Sequence, residues 1–248
     1  MTPSSCRLIG AIACALAITI AAPARADRPG CDVPAELLQI DIKLAHLSER
    51  MHAHQPIRIV AIGGASTVGT AAGSPDLAYP HRLQLALAEA FPDVPVTVVN
   101  KGVPRQSAHQ MLERFATDVI AEDPVLVVWE TGIVDAVRGI EIDDFATAVQ
   151  DGINELKNRS IDTLLVDMQF SRKTITLIDF EKYLSTLHHL GEINSVYVFP
   201  RFEMMRYWSE QNTFNFDEVA PSERADLAAR VYDCIGHKLA DAIRLAVQ

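Results

Sequence analysis

The stretch Ile57 to Gly69, IRIVAIGGASTVG, decides the fold. Its apolar run from Ile57 to Ile62 reads as a buried β-strand. Gly63-Gly64-Ala65-Ser66 then permits a tight turn that puts a serine hydroxyl at the strand's C-terminal end. In α/β folds that end of the sheet is where ligands bind. Two later stretches repeat the design, Val96 to Gly102 (VTVVNKG) and Val125 to Asp135 (VLVVWETGIVD). They would bring Gly102 and the 131–135 turn beside Ser66.

Outward from this stretch, Val- and Ile-rich runs recur at 57–62, 95–100, 124–129, 161–166 and 195–199. Between them, apolar residues spaced three and four apart predict helices near 34–50, 78–91, 106–121, 143–158, 176–190 and 222–246. Pro92, Pro95, Pro124 and Pro200 mark boundaries. Strands alternating with helices imply a parallel sheet covered on both faces, here an α/β three-layer sandwich of five strands with a flavodoxin-like arrangement. Right-handed crossovers put every strand-end turn on one edge, so Ser66, Gly102, Thr131 to Asp135 and Asp167 should share it.

Residues 1–26 have the pattern of a secretory signal, with Arg7, an apolar run from Leu8 to about Pro23, and Ala24-Arg25-Ala26 as a cleavage site. The run is too short for a membrane span. Cys14 lacks the leucine three residues earlier that a lipoprotein signal shows, which argues against a stable membrane anchor. The expected mature chain, 27–248, is long enough for one α/β domain and too short for two. It is exported to the periplasm or the exterior on this reading. Cleavage removes Arg7 and Arg25, so the formal charge of −10 becomes still more negative. That disfavours nucleic acid and anionic lipid surfaces as partners, and a small-molecule or glycan substrate fits better. The composition carries no signal for oligomeric state.

Cys31 and Cys234 remain near the two ends of the mature chain. In an oxidising compartment a disulfide between them is expected, against the alternative of two separate thiols with Cys234 packed as a small apolar residue. No CxxC or Cys/His spacing suggests a metal site. GGASTVGTAAG contains neither GxGxxG nor GxxxxGK[ST], so no nucleotide cofactor is expected.

The order of blocks, GxS after strand one, N-x-G after strand two and TG-x-x-D after strand three, resembles the SGNH/GDSL hydrolase family over most of the mature chain. The resemblance implies an ester hydrolase in which Ser66 is the nucleophile, while the backbone N–H groups of Ser66 and Gly102, the latter in Asn100-Lys101-Gly102, form an oxyanion hole. It also implies that Asp217, in Phe216-Asp217-Glu218-Val219-Ala220-Pro221, is the late acidic residue.

Three positions depart from the family pattern. Ala65 replaces the aspartate of GDS, Val134 replaces the asparagine of G-x-N-D, and Ala220 replaces the histidine of DxxHP. A valine donates no hydrogen bond, and one lost oxyanion donor costs on the order of 10²–10³ in rate. Losing the histidine can cost about 10⁶-fold, since a serine hydroxyl is a weak nucleophile until a base takes its proton.

His109, in the first turn of the helix after Gly102, is the candidate substitute base, because a helix N-terminus favours the neutral imidazole. His81 is placed similarly, whereas His188, His189 and His237 fall late in helices, where solvated or dipole-satisfying histidines are ordinary. Glu130, Asp135 and Asp167 either floor an acidic pocket or cap helices and pair with Arg105, Arg138 or Arg172. Arg201 to Trp208 (RFEMMRYW) either lines a cleft or forms a packed amphipathic helix. The leading expectation is an exported esterase or acylhydrolase. The alternative is a catalytically impaired SGNH fold that binds an acylated or carbohydrate ligand without turnover.

Overall fold

The structure, a computed structural model, describes residues 30–216 and 218–248. The expected signal segment and Asp217 lie outside the described residues. Five parallel strands form one sheet in the order β2-β1-β3-β4-β5, with β1 Ile57–Gly63, β2 Val96–Gly102, β3 Leu126–Glu130, β4 Asp162–Val166 and β5 Tyr197–Phe199. The helices are α1 Ala45–His52, α2 Ala65–Val68, α3 Tyr79–Ala90, α4 Ala108–Leu112, α5 Ile133–Arg138, α6 Ile142–Asn158, α7 Arg172–Leu177, α8 Glu181–Asn194, α9 Arg201–Glu210 and α10 Arg224–Ala246. This is the α/β sandwich expected from the strand spacing.

The continuous apolar character of the strands follows from burial on both faces. In β3, Leu126 and Val128 pack with Leu83, Leu87, Phe202, Leu239 and Ile243 from α3, α9 and α10. Val127 and Trp129 alternate to the other face, against Met111, Phe145, Val149 and Leu187 from α4, α6 and α8. At roughly 1.5–3 kcal/mol for each fully buried large apolar side chain, these two layers supply the main driving force for the fold.

Three predicted helices are interrupted. The 34–50 stretch gives a 3₁₀ turn at Ala35–Leu38 and then α1, because Leu44, 2% exposed, is drawn to the end of α10, where its N–H donates to the Ala246 carbonyl. The 106–121 stretch gives α4, a π-helical turn at Phe115–Val119 and a 3₁₀ turn at Ile120–Glu122. At its first break Arg114 leaves helical geometry (φ −104°, ψ 10°), with its guanidinium on the Gln106 side chain, the Lys101 carbonyl and the Asp118 carboxylate. The 176–190 stretch is divided between α7 and α8, with residues 178–180 outside both. Arg201 to Trp208 is the packed-helix alternative: Phe202, Met204, Met205 and Trp208 of α9 are buried.

Cys31 and Cys234 form a disulfide with Cα atoms 5.2 Å apart, tying the start of the described chain to α10. Among the described residues no helix is long and apolar enough to cross a membrane.

Candidate active site

The strand order places β1 between β2 and β3, so the chain leaves β1 at the switch point where the crossovers diverge to either side. A doubly wound sheet opens a crevice there. Ser66 is the second residue of the short helix α2, directly past that point, and is 4% exposed. Its N–H is among those without an intrahelical acceptor. Gly69 closes α2 in the left-handed region (φ 86°), with its N–H donating to the Ala65 and Ser66 carbonyls.

Gly102 pairs in register with Gly63 at the same edge. A Cβ on Gly102 would lie 2.4 Å from the Val68 nitrogen and 2.9 Å from the Thr67 carbonyl carbon. Glycine is therefore required here for the backbone of α2 to pass against β2. The Gly102 N–H donates to the Asn100 Oδ1 at 2.9 Å, and the Asn100 Nδ2 donates to the Thr67 carbonyl at 2.6 Å. One asparagine side chain thus straps the end of β2 to the turn that carries Ser66.

The Ser66 hydroxyl donates to the Oε1 of Gln169 at 3.1 Å, and the Tyr232 phenol of α10 lies beside Ser66. Burial is the main reason that the Tyr232 phenol is held above its ordinary pKa, with the Glu130 charge adding to it. Tyr232 is therefore neutral near physiological pH. Among the described residues no histidine nitrogen or carboxylate oxygen hydrogen-bonds to Ser66. His109 does not reach it: its side chain is 71% exposed on α4, with Nε2 3.7 Å from Glu113.

The carboxylates of this edge are occupied. Glu130 accepts from the Thr67 hydroxyl at 2.5 Å and pairs with the Arg201 Nη1 at 3.2 Å, both ion-pair side chains being 2% exposed. Thr67 also bonds the buried Tyr79 phenol at 3.0 Å. The two oxygens of Asp135 accept the Ala108 N–H at the start of α4, each at 3.1 Å, and burial raises the carboxyl above its ordinary 3.8 against the pull of that bond. Asp167 accepts the Phe202 N–H at 2.8 Å and His188 Nε2 at 3.0 Å, and burial raises it too. The capping alternative therefore describes Asp135 and Asp167, and the arginine that meets Glu130 is Arg201. His188, expected as an ordinary late-helix histidine, has a fully buried carboxylate partner.

Gln169 and Tyr232 were not identifiable as neighbours of this site from sequence. Gln169 lies in a loop without periodic signal, and Tyr232 reads as one more aromatic of an amphipathic helix. A polar cavity of about 370 Å³ lies between α7 and the segment after α9, lined by Arg172, Lys173, Thr176, Ser209, Asn212 and Asn215. A larger one of about 640 Å³ opens at the opposite, N-terminal edge of the sheet, lined in part by His46, Glu49, Arg50 and Arg159. Its lining includes neither Ser66 nor Gln169. Among the described residues no group of three potential metal ligands is present.

Structural comparison places the same sandwich in esterases. It aligns with a lipolytic protein of the G-D-S-L family from Desulfitobacterium hafniense at a TM-score of 0.57 and 20% identity, over 75% of this chain and 98% of that one. An acetylxylan esterase from Geobacillus stearothermophilus, a catalytic mutant, aligns at 0.58 and 18% identity, over 71% of this chain and 92% of that one. A two-domain esterase active on acetylated mannans aligns at 0.63 and 16% identity, over 83% of this chain and 55% of that one. The fold is that of the SGNH-type hydrolases. The chain belongs to the Non-GDSL lipase-like family, whose sequence profile matches residues 30–248. No curated protein sequence matches it.

Proposed function

We propose that the protein is an exported hydrolase acting on the ester bonds of small molecules or glycans, with Ser66 as its nucleophile. The observation that carries this reading is the Ser66 hydroxyl itself, held at the switch point of an SGNH-type sheet on the first turn after β1. In the reaction, Ser66 Oγ attacks the ester carbonyl carbon, the alcohol departs, and water then releases the acid from acyl-Ser66. The Ser66 N–H supports the oxyanion, joined by that of Gly102 once substrate draws it from Asn100. Asp217 is the acidic residue by resemblance alone.

The solved relatives named for acetylxylan and acetylated mannans support an acylated carbohydrate as substrate class. The Cys31–Cys234 disulfide supports an oxidising compartment. Export predicts a mature N-terminus at Asp27, read by N-terminal sequencing of the exported protein.

One observation favours the alternative, a binder of acylated ligands without turnover. The group that accepts the Ser66 proton is a neutral amide, which orients a hydroxyl without deprotonating it. Hydrolysis of p-nitrophenyl acetate and of acetylated xylan by native protein and by Ser66→Ala separates the two. Activity lost in the variant supports the hydrolase, and equal background rates with retained ligand binding support the binder.

A further inference from the structure

Resting on the reading of Ser66 as nucleophile, we infer that Gln169 supplies the side-chain amide donor that Val134 lacks, binding the substrate carbonyl oxygen through Nε2 as Ser66 attacks. Two donors expected of this architecture are compromised. Val134 presents no N–H or O–H from its side chain, and the Gly102 N–H is already given to Asn100. In the resting protein the Ser66 N–H is the one of these donors not already engaged among the described residues, and each further donor aimed at an oxyanion adds to its stabilisation.

Gln169 is the carboxamide in contact with the reacting atom. Its Oε1 takes the Ser66 hydroxyl at 3.1 Å, and its Nε2 has no hydrogen-bond partner among the described residues. Gln169 is exposed, whereas Ser66 beneath it is buried, so the amide lies on the solvent side of the hydroxyl, where a substrate must enter. The two ends of the amide have nearly the same shape, and a half-turn about the terminal torsion replaces Oε1 by Nε2. In the resting enzyme the acceptor end holds Ser66. With an ester bound, the donor end faces the carbonyl oxygen. As the Oγ–C bond forms, the carbonyl π pair moves onto oxygen, where Nε2–H holds it. It returns as the C–O bond to the alcohol breaks, and the Ser66 proton leaves with that alcohol.

The competing role for Gln169 is a clasp that only keeps Ser66 shut, and the two roles predict opposite signs. Native protein, Ser66→Ala, Gln169→Ala and Gln169→Glu are treated with a fluorophosphonate probe, whose phosphorus becomes bonded to Oγ as fluoride leaves, with the modified peptide located by mass spectrometry. The donor role predicts labelling and p-nitrophenyl acetate hydrolysis both slowed on the order of 10²-fold in Gln169→Ala and Gln169→Glu, through kcat with KM little changed. Labelling in Gln169→Ala as fast as native, or faster, overturns the inference and leaves Ser66 as nucleophile. Native protein that is not labelled at Ser66, or labelled equally in Ser66→Ala, overturns the nucleophile reading and this inference with it. Because Gln169 is exposed, unchanged circular dichroism is expected for both of its variants.

Discussion

Glu130 and Arg201 form an ion pair at 3.2 Å, each side chain 2% exposed, joining the end of β3 to the start of α9. Glu130 also accepts from Thr67, the neighbour of Ser66, while the Nε and Nη2 of Arg201 are buried without a hydrogen-bond partner among the described residues. This buried charge is costly when only one member is removed.

Arg201→Met is therefore expected to destabilise the fold by about 3–5 kcal/mol, since it strands the Glu130 carboxylate. The double variant Glu130→Met/Arg201→Met should recover much of that loss, because no unpaired charge is left. Urea unfolding of the single and double variants measures the difference. A double variant no more stable than Arg201→Met would refute the account.

Gly102→Ala is expected to push α2 away from β2, because the added methyl meets the backbone of Thr67 and Val68 rather than a flexible side chain. Overpacking of this kind costs roughly 1–3 kcal/mol. The displaced helix carries Ser66, so a lower melting temperature should accompany slower fluorophosphonate labelling. Loss of one without the other would separate the packing role of Gly102 from its place near the hydroxyl.

Asn100→Ala removes the strap from β2 to the Ser66 turn together with the acceptor of the Gly102 N–H, and should cost about 1–3 kcal/mol for the polar groups left behind. It also releases the Gly102 N–H. If that N–H joins the oxyanion hole, the labelling rate per folded molecule holds or rises. A fall of tenfold or more would show that strapping matters more than the free donor.

Asp135 gives a pH signature. Its carboxyl lies above the ordinary 3.8 in the folded protein, chiefly through burial. The folded state then binds the proton more tightly than the unfolded chain, so the contribution to stability is fully present below 3.8 and is lost as pH rises through the folded value. Native protein should accordingly gain stability relative to Asp135→Asn as pH falls from neutrality toward that range. Urea midpoints for both proteins across pH 3.5 to 7 test the sign, and a gap independent of pH would contradict it.

The architecture was legible because Val- and Ile-rich runs at regular intervals have one solution when helices lie between them. What was not legible were the helix interruptions. The breaks near Leu44 and Arg114 are made by contacts with α10 and with Lys101 and Gln106, which local spacing does not encode. At the site, Ser66 and Gly102 could be singled out because each stands at a strand end within a short motif. Gln169 and Tyr232 reach Ser66 across more than a hundred residues of chain, and no periodicity announces such a meeting. The acidic cluster was visible as composition, but whether each carboxylate caps a helix or meets an arginine depends on tertiary placement.

The disulfide bears on the order of events as the protein acquires its shape. Cys31 must wait for a partner 203 residues later, in the last helix of the chain. Bringing such distant positions together is an expensive loop closure unless the intervening layers have already packed. The sulfur–sulfur bond is thus a seal placed on a finished molecule rather than a guide to its folding. It also anchors Tyr232, two residues before Cys234, in the helix that borders Ser66. A chain truncated before α10 would have neither the seal nor that wall of the serine's surroundings.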